Sequence, residues 1–146
     1  MSEYRATIRW TRTTPEFTYD TYDRSHEVGY GGGSSHAMSS APDFKGNPKL
    51  PNPEELLVGA LSSCHMLTFL AIAAKKRLVV DSYEDAAVGT MSKNAKGKLF
   101  VSNVVLAPKV TFTTEVDAAT LEQLHHKAHE ECFIANSVLT EVRVER

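Results

Sequence analysis

The fold is decided by residues 52–77, which read NPEELLVGALSSCHMLTFLAIAAKKR. Asn52 suits the N-cap of a helix, Pro53 suits the first helical position, and two glutamates follow where the helix dipole favours negative charge. Three basic residues complement the other end, and residues 56–74 between them carry no charge. A helix that is apolar on nearly every face is surrounded by protein or by lipid. The sequence therefore predicts a long, central, buried helix.

A membrane span is the alternative, because the uncharged stretch is just long enough to cross a bilayer. Its small and polar residues would need partners in hydrocarbon, and the chain has no second stretch of this kind. The formal charge of -2 provides no positive field to gather nucleic acid or an anionic membrane. The amino terminus has no apolar signal segment. We therefore expect a cytoplasmic protein that binds neither nucleic acid nor membrane.

Alternation of apolar and polar residues predicts strands on both sides of this helix. Predicted strands cover residues 4–12, 17–22, 79–91, 99–114 and 139–144. The first two would form an antiparallel hairpin, and residues 29–53, rich in glycine and proline, predict a long loop. An amphipathic helix is predicted from Asp117 or Thr120 to about Glu131. The order ββ, α, ββ, α, β indicates an α+β fold in which antiparallel sheets wrap around the buried helix, as a single domain over residues 1–146.

The two cysteines, Cys64 and Cys132, are either inert fillers or a redox couple. They lie far apart without a CxxC motif, so they can build neither a zinc cage nor a framework of several disulfides. Cys64 lies in the middle of the predicted helix, where a thiol packs as a small hydrophobe unless a buried cation holds it as a thiolate. The arginines that precede the helix are Arg5, Arg9, Arg12 and Arg24.

A buried guanidinium also needs a counter-charge, which Glu54 or Glu55 could provide. Ten residues of helix separate Glu54 from Cys64 by about 15 Å along the axis, beyond the reach of one side chain. If thiol, arginine and glutamate share a site, either the helix is interrupted or Glu54 comes from a second copy in a two-fold dimer. The alternative is that Glu54 serves only the helix dipole.

Residues 125–132, HHKAHEEC, place His125, His129 and Cys132 at the spacing of one helix face. An ion held by the two histidines would lie between their turns, and Cys132 is about 10 Å from the first of them along the axis. Two ligands make a poor structural site. We therefore expect no bound metal and interpret these histidines as surface residues or neighbours of the thiol, with a metal-binding stress protein as a weaker alternative.

Taken together, the segments NPEELLVGALSSCHMLTFL and ECFIANSV and the paired cysteines resemble the OsmC/Ohr family of bacterial peroxide-handling proteins. Members of that family are intertwined α+β homodimers that reduce organic hydroperoxides, with dithiols such as dihydrolipoamide as reductant. The resemblance implies that Cys64 is the peroxidatic thiol, Cys132 the resolving thiol and Glu54 the glutamate. Arg24 alone fits the position of the family's arginine. Phe133 replaces a proline of the better-known branches, which indicates a less characterised branch.

The implied activity is that of a thiol peroxidase in the oxidative stress response, working without metal, haem or flavin. A Cys64 thiolate would become a sulfenic acid and then a Cys64–Cys132 disulfide, which a dithiol reduces. Apolar residues that would favour alkyl or lipid hydroperoxides, or simply belong to the core, are Leu56, Met66, Leu67, Phe69 and Phe133. The alternative is a non-enzymatic stress protein whose dimer cleft binds a hydrophobic or thiol-containing small molecule.

Overall fold

Eight strands and two α-helices make up an α+β fold, as the sequence predicted. The computed structural model describes all residues, 1–146. They form two compact units, residues 1–56 and residues 57–146.

The first unit is built on a three-stranded antiparallel sheet in the order β1, β2, β3. The strands are β1 (Ala6–Arg9), β2 (His26–Tyr30) and β3 (Ser35–Met38). The partner of β1 is therefore β2, with Ala6 opposite Tyr30. The predicted strand at residues 17–22 is wrong, because the amides of Thr21 and Tyr22 both donate to the Thr18 carbonyl and close a turn.

Aromatic side chains explain why residues 17–22 looked like a strand. Phe17 and Tyr22 pack against each other, with ring centroids 5.2 Å apart, and both pack edge-on against Trp10. Their spacing therefore builds an aromatic cluster within a loop instead of one face of a sheet. The predicted long loop is also shorter than expected, since its glycines form the β2–β3 turn, where Gly33 adopts a φ of 97°.

Helix α1 extends from Pro53 to Lys75 without interruption. Within the chain it buries a single face, formed by residues at intervals of four: Leu61, His65, Phe69 and Ala73. The rest of this apolar helix is exposed or half-buried. Helix α1 is long and apolar enough to cross a membrane, but the core helices of soluble proteins can have the same length and composition.

The second unit contains the remaining strands and helix α2. The strands are β4 (Val80–Asp85), β5 (Val88–Lys93), β6 (Leu99–Leu106), β7 (Pro108–Phe112) and β8 (Glu141–Val144). β4 pairs with β7, while β5, β6 and β8 form a second sheet. One pair, β6 with β8, is parallel rather than antiparallel, because the chain crosses over through α2 before β8.

Each of the two long strands predicted in this region is divided in two. The breaks fall after Asp85 and at Ala107, and they meet, because the Asp85 carboxylate accepts a hydrogen bond of 2.7 Å from the Ala107 amide. Pro108 then begins β7, consistent with the lack of an amide donor at that position. The periodicity of the sequence continues across both breaks and so could not reveal them.

Helix α2 covers Ala118–Glu131, as predicted, and begins where the Asp117 side chain accepts a hydrogen bond of 2.7 Å from the Thr120 amide. It packs on α1 in a core cluster of Phe69, Ala73, Leu124 and Ala128. A second cluster joins Leu61 of α1 to Val104 and Leu106 of β6. These clusters fix the part of α1 that carries the first cysteine.

Candidate active site

The structure brings the two cysteines together. Cys64 lies on α1 and is half-buried, and Cys132 follows the last residue of α2 and is 1% exposed. Both are free thiols, and they lie close enough that Cys64 raises the pKa of Cys132. The chain between them, residues 65–131, thus brings two residues that are 68 positions apart close together. Two adjacent thiols can give up two electrons and two protons by forming a disulfide.

The environment of Cys132 keeps its thiol protonated. Burial is the largest influence and raises its pKa, and the neighbouring Cys64 raises it further. The amide of Ala135 opposes these effects by donating to the Cys132 sulfur at 3.4 Å. The net pKa is above the ordinary thiol value, so little of Cys132 is present as the reactive thiolate at neutral pH.

The end of α2 holds Cys132 in place. The side-chain amide of Asn136 donates to the carbonyls of Glu130 and Cys132, which have no partner within the helix. A short 3-10 turn, Ala135–Ser137, follows directly. Phe133, the residue after Cys132, is 81% exposed.

Arg24 is buried in the first unit, at 8% exposed, without a carboxylate partner. Its guanidinium donates to the backbone carbonyls of Tyr19 and Tyr22 and lies 3.6 Å from the centre of the Tyr22 ring. The Nε atom is buried and has no hydrogen-bond partner. A buried, unneutralised guanidinium is a site where an anion would be stabilised.

The expected ion pair between Arg24 and Glu54 does not form within the chain. The Oε2 atom of Glu54 is also buried without a hydrogen-bond partner. Glu55, the alternative that the sequence left open, is committed to the start of α1: Asn52 donates to its carboxylate at 2.8 Å and accepts from its amide at 2.9 Å. Of the two glutamates, Glu54 is therefore the one with a buried carboxylate oxygen that lacks a hydrogen-bond partner.

A cavity of about 350 Å³ lies beside Arg24 in the first unit. Its lining is aromatic and polar: Trp10, Phe17, Tyr22, Arg24, His26, Ser39, Ser40 and Pro53. Sequence reasoning assigned Phe17 and Tyr22 to a strand and missed this cavity. The apolar wall expected on α1 is divided instead, since Phe69 is core, whereas Leu56 and Leu67 are exposed.

The histidines of α1 and α2 do not form a metal centre. His125 shares a hydrogen bond of 3.0 Å with His65, and Cys132 faces Cys64, so the proposed ligands point to different partners. No group of three or more histidine, cysteine, aspartate or glutamate side chains has the geometry to hold an ion. The i, i+4, i+7 spacing was therefore a feature of helix packing.

The chain is similar to known proteins in sequence and in fold. The family described as OsmC-like protein matches residues 46–146. An OsmC-like protein of unknown function from Vibrio cholerae is 49% identical, covers 99% of both chains and has a TM-score of 0.94. An organic hydroperoxide resistance protein from Elizabethkingia anophelis shares the fold at 17% identity, covering 99% of this chain and 93% of the other, with a TM-score of 0.75. The uncharacterized protein YmaD of Bacillus subtilis is 22% identical over 75% of this chain and 74% of its own.

Proposed function

Because the chain belongs to the OsmC-like family, we propose that it is a thiol peroxidase that reduces organic hydroperoxides. The observation that carries the proposal is the proximity of two free thiols, Cys64 and Cys132, in one unit of the fold. The names of two structural neighbours support the substrate class, since both are organic hydroperoxide resistance proteins, from Elizabethkingia anophelis and Bacillus subtilis.

In the proposed cycle, the Cys64 thiolate attacks the distal oxygen of the hydroperoxide. The oxygen–oxygen bond breaks, an alkoxide leaves and takes up a proton to become the alcohol, and Cys64 becomes a sulfenic acid. The Cys132 thiol then displaces water from that sulfenic acid and forms the Cys64–Cys132 disulfide. A dithiol such as dihydrolipoamide restores both thiols by exchange and is itself oxidised to a disulfide. No metal, haem or flavin takes part in these steps.

The difference between the two thiols supports this order of events. Cys64 is half-buried and so open to substrate, whereas Cys132 is buried with a raised pKa. A protonated Cys132 does not compete for peroxide. It reacts only after Cys64 has become an electrophile next to it.

Arg24 and Glu54 are proposed to stabilise the anionic thiolate and to orient the peroxide. Since α1 is uninterrupted, Glu54 and Cys64 of one chain stay about 15 Å apart along the helix axis. We therefore propose a homodimer in which the second copy supplies these two side chains. The unpartnered Arg24 Nε and Glu54 Oε2 support this, as do the exposed apolar residues of α1, Leu56 and Leu67.

The alternative, a non-enzymatic protein that binds an apolar small molecule, is favoured by the aromatic cavity beside Arg24. The two functions differ in what peroxide does to the thiols. A catalyst consumes many equivalents of peroxide per chain when a dithiol is present, whereas a binding protein consumes at most one.

The proposed peroxidase cycle also requires that the two thiols be kept reduced, which favours a location in the cytoplasm.

Stopped-flow reduction of cumene hydroperoxide in the presence of dihydrolipoamide tests the proposal. We expect turnover by the wild-type protein, loss of peroxide reduction in Cys64→Ser, and a single stoichiometric reaction in Cys132→Ser. A non-reducing peptide map after one equivalent of peroxide should contain a Cys64–Cys132 link. Wild-type turnover in Cys64→Ser would eliminate the mechanism.

A further inference from the structure

Two histidines that the proposed chemistry does not use form a buried pair between α1 and α2. His65 directly follows Cys64 on α1, and His125 lies two turns before Cys132 on α2. Each is 1% exposed. Their rings are parallel within 6°, and Nε2 of His65 shares a hydrogen bond of 3.0 Å with Nδ1 of His125. Nδ1 of His65 is buried without a hydrogen-bond partner, so the bond to His125 is the one that the His65 side chain makes. Losing it would leave both buried imidazoles without that partner at a cost in free energy, so the pair favours one arrangement of the groups around it.

The imidazole pair and the thiol pair connect the same two helices. Cys64 and His65 are neighbours on α1, and their partners both belong to the last two turns of α2 or the residue that ends it. The small Ala128, fully buried, lies between His125 and Cys132 on α2 and packs in the core cluster that also contains Phe69 of α1. A displacement of α2 at one pair is therefore transmitted to the other.

The remaining contacts between these helices are less directional. The core cluster around Phe69 and Leu124 is apolar, and apolar burial favours contact without fixing the rotation or the axial position of a helix. A hydrogen bond between two rings, in contrast, weakens steeply with distance and angle. A disulfide is similarly demanding, since the Cα atoms must lie within about 4.4–6.8 Å of each other.

We propose that His65 and His125 are positioning residues, which hold α1 and α2 at the separation where Cys64 and Cys132 can form a disulfide. The proposal rests on the proposed function only in that the peroxidase cycle uses this disulfide as an intermediate. The property that it predicts is the thiol–disulfide equilibrium of the protein, which is measured without any peroxide.

The experiment equilibrates the reduced protein with oxidised dithiothreitol. The two protein thiols lose two electrons and two protons, their sulfur atoms join, and the reagent becomes reduced dithiothreitol. We expect His65→Leu and His125→Leu each to lower the equilibrium constant for disulfide formation by about tenfold, which is less than the roughly hundredfold effect that a 1 Å misplacement of reacting groups can have. The double variant should lose little more than either single variant, because both remove the same contact.

Two further variants separate positioning from loss of stability. His65→Gln keeps an amide that can donate to His125. Its equilibrium constant should remain within about threefold of the wild-type value, a smaller change than that expected for the leucine variants. Leu124→Ala destabilises the same helix pair through a cavity and should leave the constant within the same range. His65→Asn, whose amide is too short to span the contact, carries the same expectation as His65→Leu if the latter does not fold.

A folded His65→Leu or His65→Asn with a wild-type equilibrium constant would overturn the proposal. So would Leu124→Ala if it lowered the constant as much as the histidine variants, because general loosening would then explain the effect. These outcomes are independent of peroxidase activity. A protein that forms its disulfide normally but reduces no hydroperoxide would contradict the proposed function and leave the positioning role intact.

Discussion

Asn52 and Glu55 hydrogen-bond each other twice across the first turn of α1, the amide nitrogen of Asn52 donating to the Glu55 carboxylate and its oxygen accepting from the Glu55 backbone. This reciprocal cap satisfies a backbone donor that has no partner within the helix. The two adjacent glutamates therefore have different roles: Glu55 stabilises the start of the helix, whereas Glu54 has a buried carboxylate oxygen without a hydrogen-bond partner. We expect Asn52→Ala to lower the free energy of unfolding by about 1 kcal/mol in urea denaturation.

The different roles of Glu54 and Glu55 predict different oxidation rates for two matched variants. Glu54→Gln removes the charge proposed to support Arg24, so the rate of Cys64 oxidation by cumene hydroperoxide should fall by about tenfold, in line with the 1.5–3 kcal/mol of a hydrogen bond to a charged group. Glu55→Gln can still accept from Asn52 and should leave that rate unchanged. Equal rates in the two variants would show that Glu54 has no part in the reaction.

The two thiols should differ in their reaction with iodoacetamide. In the folded protein at pH 7.5, we expect Cys64 to be labelled and Cys132 to be protected, because Cys132 is buried and burial raises its pKa. Mass spectrometry of the tryptic peptides after timed quenching measures both rates, and the denatured chain provides the reference at which both react alike. Labelling of Cys132 at the rate of Cys64 would contradict the assigned environments.

The elements with strong local signals could be predicted from the sequence. Helix α1 was predicted from its cap, its charges and its long apolar stretch, and α2 from its period and from Asp117. The partnership of Cys64 and Cys132 came from resemblance to a family, since nothing in the spacing itself places residues 68 positions apart in contact. That contact depends on the packing of α2 on α1.

The errors arose where the sequence pattern had two physical explanations. Alternating aromatics at residues 17–22 fit a strand, and only tertiary contacts with Trp10 decide for a loop. The sequence left His125 either on the helix surface or beside the thiol, and only the position of His65 shows that His125 is buried in a pair between the two helices. In both cases a residue distant in sequence supplied the missing information.

Gly46 is required by close approach of the backbone. A Cβ atom at this position would lie 1.6 Å from the carbonyl oxygen of Ser40, so the loop must move to accept any side chain. We expect Gly46→Ala to lower the free energy of unfolding by about 2–3 kcal/mol, the upper range for overpacked sites. Gly32→Ala is the control, since a Cβ there meets nothing within 4 Å, and thermal or urea unfolding of the two variants should differ clearly.

The histidine pair makes stability depend on pH. Burial, followed by the neighbouring His125 and His129, lowers the pKa of His65 from 6.5 to about 4, and burial lowers that of His125 as well. Asp85 opposes both effects, and Arg146 reinforces the lowering at His65. Between pH 6.5 and 4 the unfolded chain therefore binds a proton that the folded chain rejects.

Stability must fall as the pH falls through that window, since the state that binds more protons gains from acid. For His65 alone, we expect a loss of about 2 kcal/mol between pH 7.5 and pH 5, from about 1.36 kcal/mol for each pH unit between the unfolded pKa of 6.5 and pH 5. Urea unfolding at both pH values measures it, and His65→Leu is the control because it removes the titrating ring. The wild type should lose more stability than the variant over this range. Equal losses would mean that other groups cause the pH dependence and that the imidazole pair accepts a proton in the folded protein as readily as in the unfolded chain.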